Sequence, residues 1–275
     1  MKKILKELPE GAVLCLQPGV YNTRLWIDRS LTVRGLGGGV ILDGNGQAST
    51  IEVVREAVDF VLEQVTVRGG AGGGMGQGGN LNIDDSHRVV LREVTLESGS
   101  SDDNGGGGLL LNRGELLMER CRVTQNRGSR AQAILVNAGA KLTLRDCLVA
   151  GNGAGSRGDA PAIFLTGAVD LTVERSTIFG NRGMALRVGG DDKIPSTVSV
   201  SSSILGDPAI VAGPAQRTHA RIVVKDCALS AAVAGIEDAG GNVVGEIRLD
   251  AEYRPIAGSI AVGKGPGASG CGWRW

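Results

Sequence analysis

ELLMERCRVTQN (115–126), KLTLRDCLVAGN (141–152) and DLTVERSTIFGN (170–181) are three versions of one segment. Each carries apolar residues at fixed offsets, a charged pair, and a closing Asn. Four more copies share the frame: VLEQVTV (61–67), VLREVTL (90–96), SVSSSIL (199–205) and VVKDCAL (223–229). One anchor residue per copy is Leu62, Leu91, Met118, Leu144, Val173, Val200 and Val224, spaced 29, 27, 26, 29, 27 and 24 residues apart. A second apolar run follows a Gly/Asn-rich turn in five units: LLL (109–111), AILV (133–136), AIFL (162–165), ALRV (185–188) and AIV (209–211). These runs have strand length and strand composition, and no helix-length periodic segment intervenes. Such units bury a face only by stacking on their neighbours.

The frame predicts which side chains point inward. Anchor, anchor+3 and anchor+5 are apolar or small. Anchor+3 reads Val65, Val94, Cys121, Cys147, Ser176, Ser203 and Cys227. The parity change between anchor and anchor+3 implies a corner with anchor+1 and anchor+2 turned outward. Anchor+1 runs Glu63, Arg92, Glu119, Arg145, Glu174, Ser201, Lys225, and anchor+2 runs Gln64, Glu93, Arg120, Asp146, Arg175, Ser202, Asp226. Stacked about 4.8 Å apart, most of these charges would sit between opposite charges. The reading assigns them to structure, together with the turn row Asn126, Asn152 and Asn181, where Asn suits left-handed backbone.

Composition agrees. The 275 residues include 45 Gly but only 3 Phe, 3 Trp and 2 Tyr. So much glycine disfavours a helical bundle, and the absence of a three-residue period excludes collagen. A 42% hydrophobic fraction excludes a disordered linker. Lys+Arg and Asp+Glu both number 29, so net charge forecasts no nucleic-acid partner. No apolar run is long enough to span a membrane. MKKILKELPEG (1–11) lacks the apolar core of a signal peptide. The expectation is a cytoplasmic protein if the chain is intact, and an extracellular or surface one if a leader was removed. Five cysteines without CxxC spacing argue against a disulfide framework or structural zinc.

The repeats resemble the right-handed parallel β-helix proteins of the pectin-lyase-like superfamily. LPEGAVLCLQPGVYNTRLWIDRSLTVRGLGGGVILDG (8–44) looks like their first coils, and YRPIAGSIAVGKG (253–265) like the closing coil of many bacterial members. GGGGLLLNRGELLMERCRVTQN (105–126) and AILVNAGAKLTLRDCLVAGN (133–152) are similar to repeats of polymorphic outer-membrane and adhesin-like proteins. The expected fold is all-β, one right-handed parallel solenoid domain of about nine or ten coils. Residues 1–10 form an N-terminal cap, with Ile4, Leu5 and Leu8 over the first coil. Residues 11–250 form the coils, and 251–275 the closing coil and cap, with Trp273 and Trp275 at the end. The resemblance leaves function open, because this fold hosts lyases, hydrolases, epimerases and adhesins.

Two sets of residues are candidates for chemistry. Asp84, Asp85 and His87 lie in NIDDSH; the two aspartates read equally as turn formers, and the corresponding turn carries Asn112, Arg113, Asn137, Thr166, Asp191 and Asp192. The loops of the opposite edge carry Asp102, Asp103, Arg127, Arg130, Arg157, Asp159 and Arg182. Asp102, Asp103 and Asp159 are the other catalytic candidates, and alternating Arg and Asp suits an anionic glycan or a protein. Solvated loops also collect charge, and that plain reading stands beside it. His219 has no neighbouring carboxylate in sequence. The glycine loop GGAGGGMGQGG (69–79) reads as a flexible lateral loop. No metal site or cofactor is expected; calcium enters only if the chain is a lyase. The leading expectation is a non-catalytic, monomeric recognition or scaffold β-helix that binds anionic polysaccharide or protein. The alternatives are a lyase or hydrolase of acidic polysaccharide, and a surface or phage-type adhesin.

Overall fold

The computed structural model describes residues 5, 7–73, 77–102, 105–154, 158–189, 195–206, 208–212 and 220–264. Asp103, Arg157, Asp191, Asp192, His219, Ile4, Trp273 and Trp275 lie outside the described residues. The chain winds as an all-β, right-handed parallel solenoid. Each coil visits three faces. The short apolar runs form one face, including Leu109–Leu111, Ile134–Asn137 and Ile163–Thr166. The anchor strands form the next, including Gly114–Glu119 and Ala140–Arg145. The third face is a ten-stranded parallel sheet that begins at Gly19–Asn22 and ends at Val243–Val244. In register, Leu14 and Val33 precede the seven anchors and Asp238 follows them. The Val33 level and the seven anchor levels each put a strand on all three faces, and a shorter level stands at either end.

The inward rows fall where the frame puts them. Every anchor is at most 1% exposed, and anchor+5 from Val67 to Leu229 at most 2%. With the inward residues of the short strands, they fill one continuous core. Leu5 is buried in that core, and Leu8 packs against it.

The corner has a specific backbone. Gln64, Glu93, Arg120, Asp146, Arg175, Ser202 and Asp226, the whole anchor+2 row, adopt positive φ between 44° and 57°. Left-handed backbone is uncommon for residues with a Cβ. It persists because the turn keeps the inter-coil ladder intact. The Glu93 N–H donates to Glu119 O at 3.0 Å, Arg120 to Arg145 O at 3.0 Å and Asp146 to Glu174 O at 3.1 Å. Outside the corner, guanidinium and carboxylate alternate without a gap. Arg34–Glu63, Glu63–Arg92, Arg92–Glu119, Glu119–Arg145 and Arg145–Glu174 pair at 2.7–3.1 Å. Partial burial pushes the Glu63 carboxyl up, but Arg34 and Arg92 overcome it and hold Glu63 below its ordinary value. In the neighbouring row, hydrogen bonds from Gln64 and Arg120 hold Glu93 down in the same way.

Inside the corner, anchor+3 explains its preference for Ser and Cys. Ser176 Oγ donates to Glu174 O at 2.8 Å and accepts from Cys147 N at 3.0 Å. Cys121 and Cys147 bond the carbonyls of Glu119 and Arg145 at 3.3 Å. All three of the described inward cysteines are buried thiols, whereas Cys15 is exposed. Burial pushes the Cys147 thiol up, and that of Cys227 up to about 11. Cys121, Cys147 and Cys227 are buried and Cys15 is exposed, so the first three are expected to resist iodoacetamide in the native chain while Cys15 reacts. Mass spectrometry under denaturing, non-reducing conditions should then show all of them alkylated. Protection of Cys121 and Cys147 after unfolding would mean that they form a disulfide.

Three expectations need correction. The Asn row does not supply left-handed backbone. That role falls one residue earlier, at Ser98, Gln125, Gly151 and Gly180, with φ of 52–67°. Asn126 and Asn152 instead turn inward, 0% and 1% exposed, and build a side-chain ladder. Asn80 Nδ2 donates to Asn126 Oδ1 at 3.0 Å, Asn126 Nδ2 to Asn152 Oδ1 at 3.0 Å, and Asn152 Nδ2 to Asn181 Oδ1 at 2.8 Å. Asn80 enters from outside the frame, filling the place that Gly99 leaves empty; a Cβ on Gly99 would stand 2.6 Å from Asn80 Nδ2.

Glycines 69–79 do not form a loose loop in their described part. Ala71–Gly72, Ser100–Ser101 and Arg127–Gly128 stack as a small parallel sheet, a flange beside the solenoid. Its backbones approach so closely that a Cβ on Gly70, Gly79 or Gly107 would overlap a neighbouring main chain. Glycine is there for proximity. Finally, residues 246–264 do not close the helix as a parallel coil. They form an irregular hairpin, bridged antiparallel at Leu249 and Pro255, and lie against the outside of the third face. Ile247 and Ala261 cluster there with Ile204 and Ala228, because these outward positions are apolar and need cover.

Candidate functional site

The NIDDSH segment is strand rather than turn. Leu81–Arg92 runs unbroken from the short-strand face onto the anchor face and pairs with Ile51–Glu63 through two register shifts. The pairing partner is of similar length, 13 residues against 12, so the coil changes face through bulges; Asp84 falls at the first of them and Asp85 pairs with Val54. A polar row continues from them along the axis. Asn112 Nδ2 donates to Asp84 Oδ1 at 2.9 Å, Asn137 Nδ2 to Asn112 Oδ1 at 2.6 Å, and Thr166 Oγ1 to Asn137 Oδ1 at 2.6 Å. Asp85 is half-buried, with Arg113 Nη1 3.8 Å from its carboxylate. Asp84, Asp85, Asn112, Arg113, Asn137 and Ala138 line a cleft of about 340 Å³. The structure therefore brings the two aspartates together with a guanidinium and two amides. It sends His87 elsewhere: Nδ1 meets Asp59 Oδ1 at 2.9 Å on an exposed surface.

The loop-edge set is less unified than expected. Asp102 is exposed at the flange, and Arg127 lies one coil on, its Cα partnered with that of Ser100. Arg182 pairs with Asp159 at 3.5 Å. Arg130 lies against an aromatic ring. Its Cζ sits 5.7 Å from the centroid of Phe164, and Arg187 approaches the same ring at 5.2 Å. In sequence Phe164 and Arg187 read only as members of the apolar strands 162–165 and 185–188. Their signal was register: Leu110, Leu135, Phe164, Arg187 and Val211 are successive outward residues of the short-strand face.

Among the described residues, no three His, Cys, Asp or Glu side chains converge in a group able to hold a metal ion. Nor is any described helix long and apolar enough to cross a membrane.

Residues 29–242 match the family described as right handed beta helix region, and the chain belongs to that family. Among solved structures it is similar to pectin methylesterase from carrot, with a TM-score of 0.58 at 13% identity over 89% of this chain and 83% of that one. It is also similar to pectin methylesterase PemA from Erwinia chrysanthemi, with a TM-score of 0.56 at 13% identity over 88% and 87%. Pectate lyase Pel9A gives 0.54 at 13% identity over 99% and 88%. At such identity the likeness establishes the fold alone. No curated protein sequence matches the chain.

Proposed function

We propose that this chain is a carbohydrate-active enzyme for an acidic polysaccharide, with its reacting groups in the Asp84–Asp85–Arg113 cleft. The observation that carries the reading is the convergence of two carboxylates and a guanidinium at one cleft. Asp85, held beside Arg113, is the carboxylate placed to take a proton. Arg113 is exposed enough to offer its remaining N–H donors to a sugar carboxylate. The similar structures named for action on pectin and pectate favour this reading over a purely non-catalytic module. The test is incubation with polygalacturonate and with methyl-esterified pectin. Unsaturated product, new reducing ends and released methanol are the readouts. One of them is expected to appear, and Asp85→Asn should lower kcat/KM about a hundredfold or more. A folded chain that binds the polymer yet yields none of the three would overturn it. The second reading, a recognition module, is favoured by one observation: Arg127, Arg130 and Arg187 are without a carboxylate partner among the described residues.

A further inference from the structure

Most of the described arginines pair with carboxylates, and Arg130 and Arg187 are among the exceptions. Around Phe164 two guanidinium groups share one ring and have no carboxylate partner among the described residues. The arrangement is positioned by three successive coils. Phe164 is in register with Leu135 before it and Arg187 after it, while Arg130 comes from the stretch that links the flange to Leu135. Beneath, the ring packs on a small cluster of Leu110, Ala131 and Leu135, all at most 1% exposed. On the next coil Gly189 leaves room for it; a Cβ there would approach the ring to 3.2 Å. The aromatic is thus seated firmly, while Arg130 and Arg187 stay exposed.

A guanidinium facing a ring spends its π face and keeps its in-plane N–H fork for another partner. That fork matches a carboxylate in bidentate fashion. Phe164 is only partly buried, so its exposed ring carbons offer an apolar contact to the C–H surface of a pyranose. Charge, planarity and an apolar patch together describe one ligand chemistry, a sugar ring bearing a carboxylate.

We propose that Arg130, Phe164 and Arg187 form a uronate-binding subsite on the short-strand face. It belongs to the same substrate as the Asp84–Asp85 cleft and rests on the acidic-polysaccharide half of the reading above, but not on catalysis. The polar row Asp84–Asn112–Asn137–Thr166 joins the cleft to the coil that carries Phe164. Three coil steps, about 14 Å, separate the ends of that row, so one oligosaccharide lying along the axis reaches both.

Binding, rather than turnover, tests this. Oligogalacturonate is titrated into the native chain by calorimetry, beside the same oligomer with its carboxylates reduced to alcohols. The acidic oligomer is expected to bind, and the reduced one at least about tenfold more weakly. Arg187→Ala and Arg130→Ala should each weaken binding of the acidic oligomer by about tenfold, and Arg187→Lys should restore little of it. Both arginines are exposed, so the variants are expected to keep the native melting temperature. Equal affinity for the two oligomers, no binding of either, or unchanged affinity in both alanine variants would overturn the subsite. If native chain and Asp85→Asn bind alike but neither turns substrate over, the catalytic reading fails while the subsite stands.

Discussion

Asn126→Ala is expected to destabilise the solenoid by about 4 kcal/mol. The side chain is 0% exposed and makes four hydrogen bonds. Its Nδ2 donates to Leu96 O at 2.9 Å and to Asn152 Oδ1 at 3.0 Å. Its Oδ1 accepts from Gly99 N at 2.9 Å and from Asn80 Nδ2 at 3.0 Å. Alanine removes them all, leaving the buried Gly99 N–H without a partner, at a cost of about 1–3 kcal/mol, and taking one of its bonds from the Leu96 carbonyl. The flanking amides each lose a bond as well. Asn181 sits at the ladder's end and is half-buried. Water replaces part of what Asn181→Ala removes, so that variant should cost only about 1 kcal/mol. Guanidinium titrations followed by circular dichroism distinguish the two. A loss below about 1 kcal/mol for Asn126→Ala would show that the ladder does not tie the coils together.

Why that ladder was only partly legible in sequence is a matter of what repeats. Asn126, Asn152 and Asn181 recur at one offset, so their stacking is readable. Asn80 belongs to another part of its coil and becomes their neighbour only because Gly99 vacates the position. No periodic signal marks a residue that substitutes for one in a different register. The charge rows are the opposite case. Their alternation shows in sequence because every coil contributes one member at a fixed offset, and the Arg34–Glu63–Arg92–Glu119–Arg145–Glu174 chain follows.

The site obeys the same logic. Asp84 and Asp85 stand out as a pair, but their partner Arg113 gains its meaning from stacking one coil on the next. Phe164 sits in a four-residue strand and Arg187 in a three-residue strand. Such a strand shows too few outward residues for alternation to be read. Among apolar neighbours, Phe164 passes for core until register sets it beside Arg187. The corner row shows a further limit. Gln64, Glu93, Arg120, Asp146, Arg175, Ser202 and Asp226 all take left-handed backbone without one glycine among them. A reading that looks for glycine at positive φ passes over them.

Glycine has its largest consequence in the flange, and Gly79→Ala is the second large effect, an expected loss of about 3 kcal/mol. Gly79 is buried, and its own N–H donates to Gly106 O at 3.0 Å. A Cβ placed on it would stand 2.0 Å from Gly107 O and 2.7 Å from Ser100 N. Both are main-chain atoms, so no rotamer change relieves the overlap. The Ser100–Ser101 strand would have to move, and it pairs with Ala71–Gly72 on one side and Arg127–Gly128 on the other. Gly73 provides the contrast within the same loop. Among the described residues no atom lies within 4 Å of a Cβ placed on it, and its φ is not in the left-handed region. Gly73→Ala should therefore be neutral, or stabilising by up to about 1 kcal/mol through the unfolded chain. Denaturation midpoints and amide exchange at Ser100 and Ser101 measure both variants. A tightly packed flange predicts faster exchange there in Gly79→Ala alone. Equal midpoints for the two variants would return the flange to a loose loop.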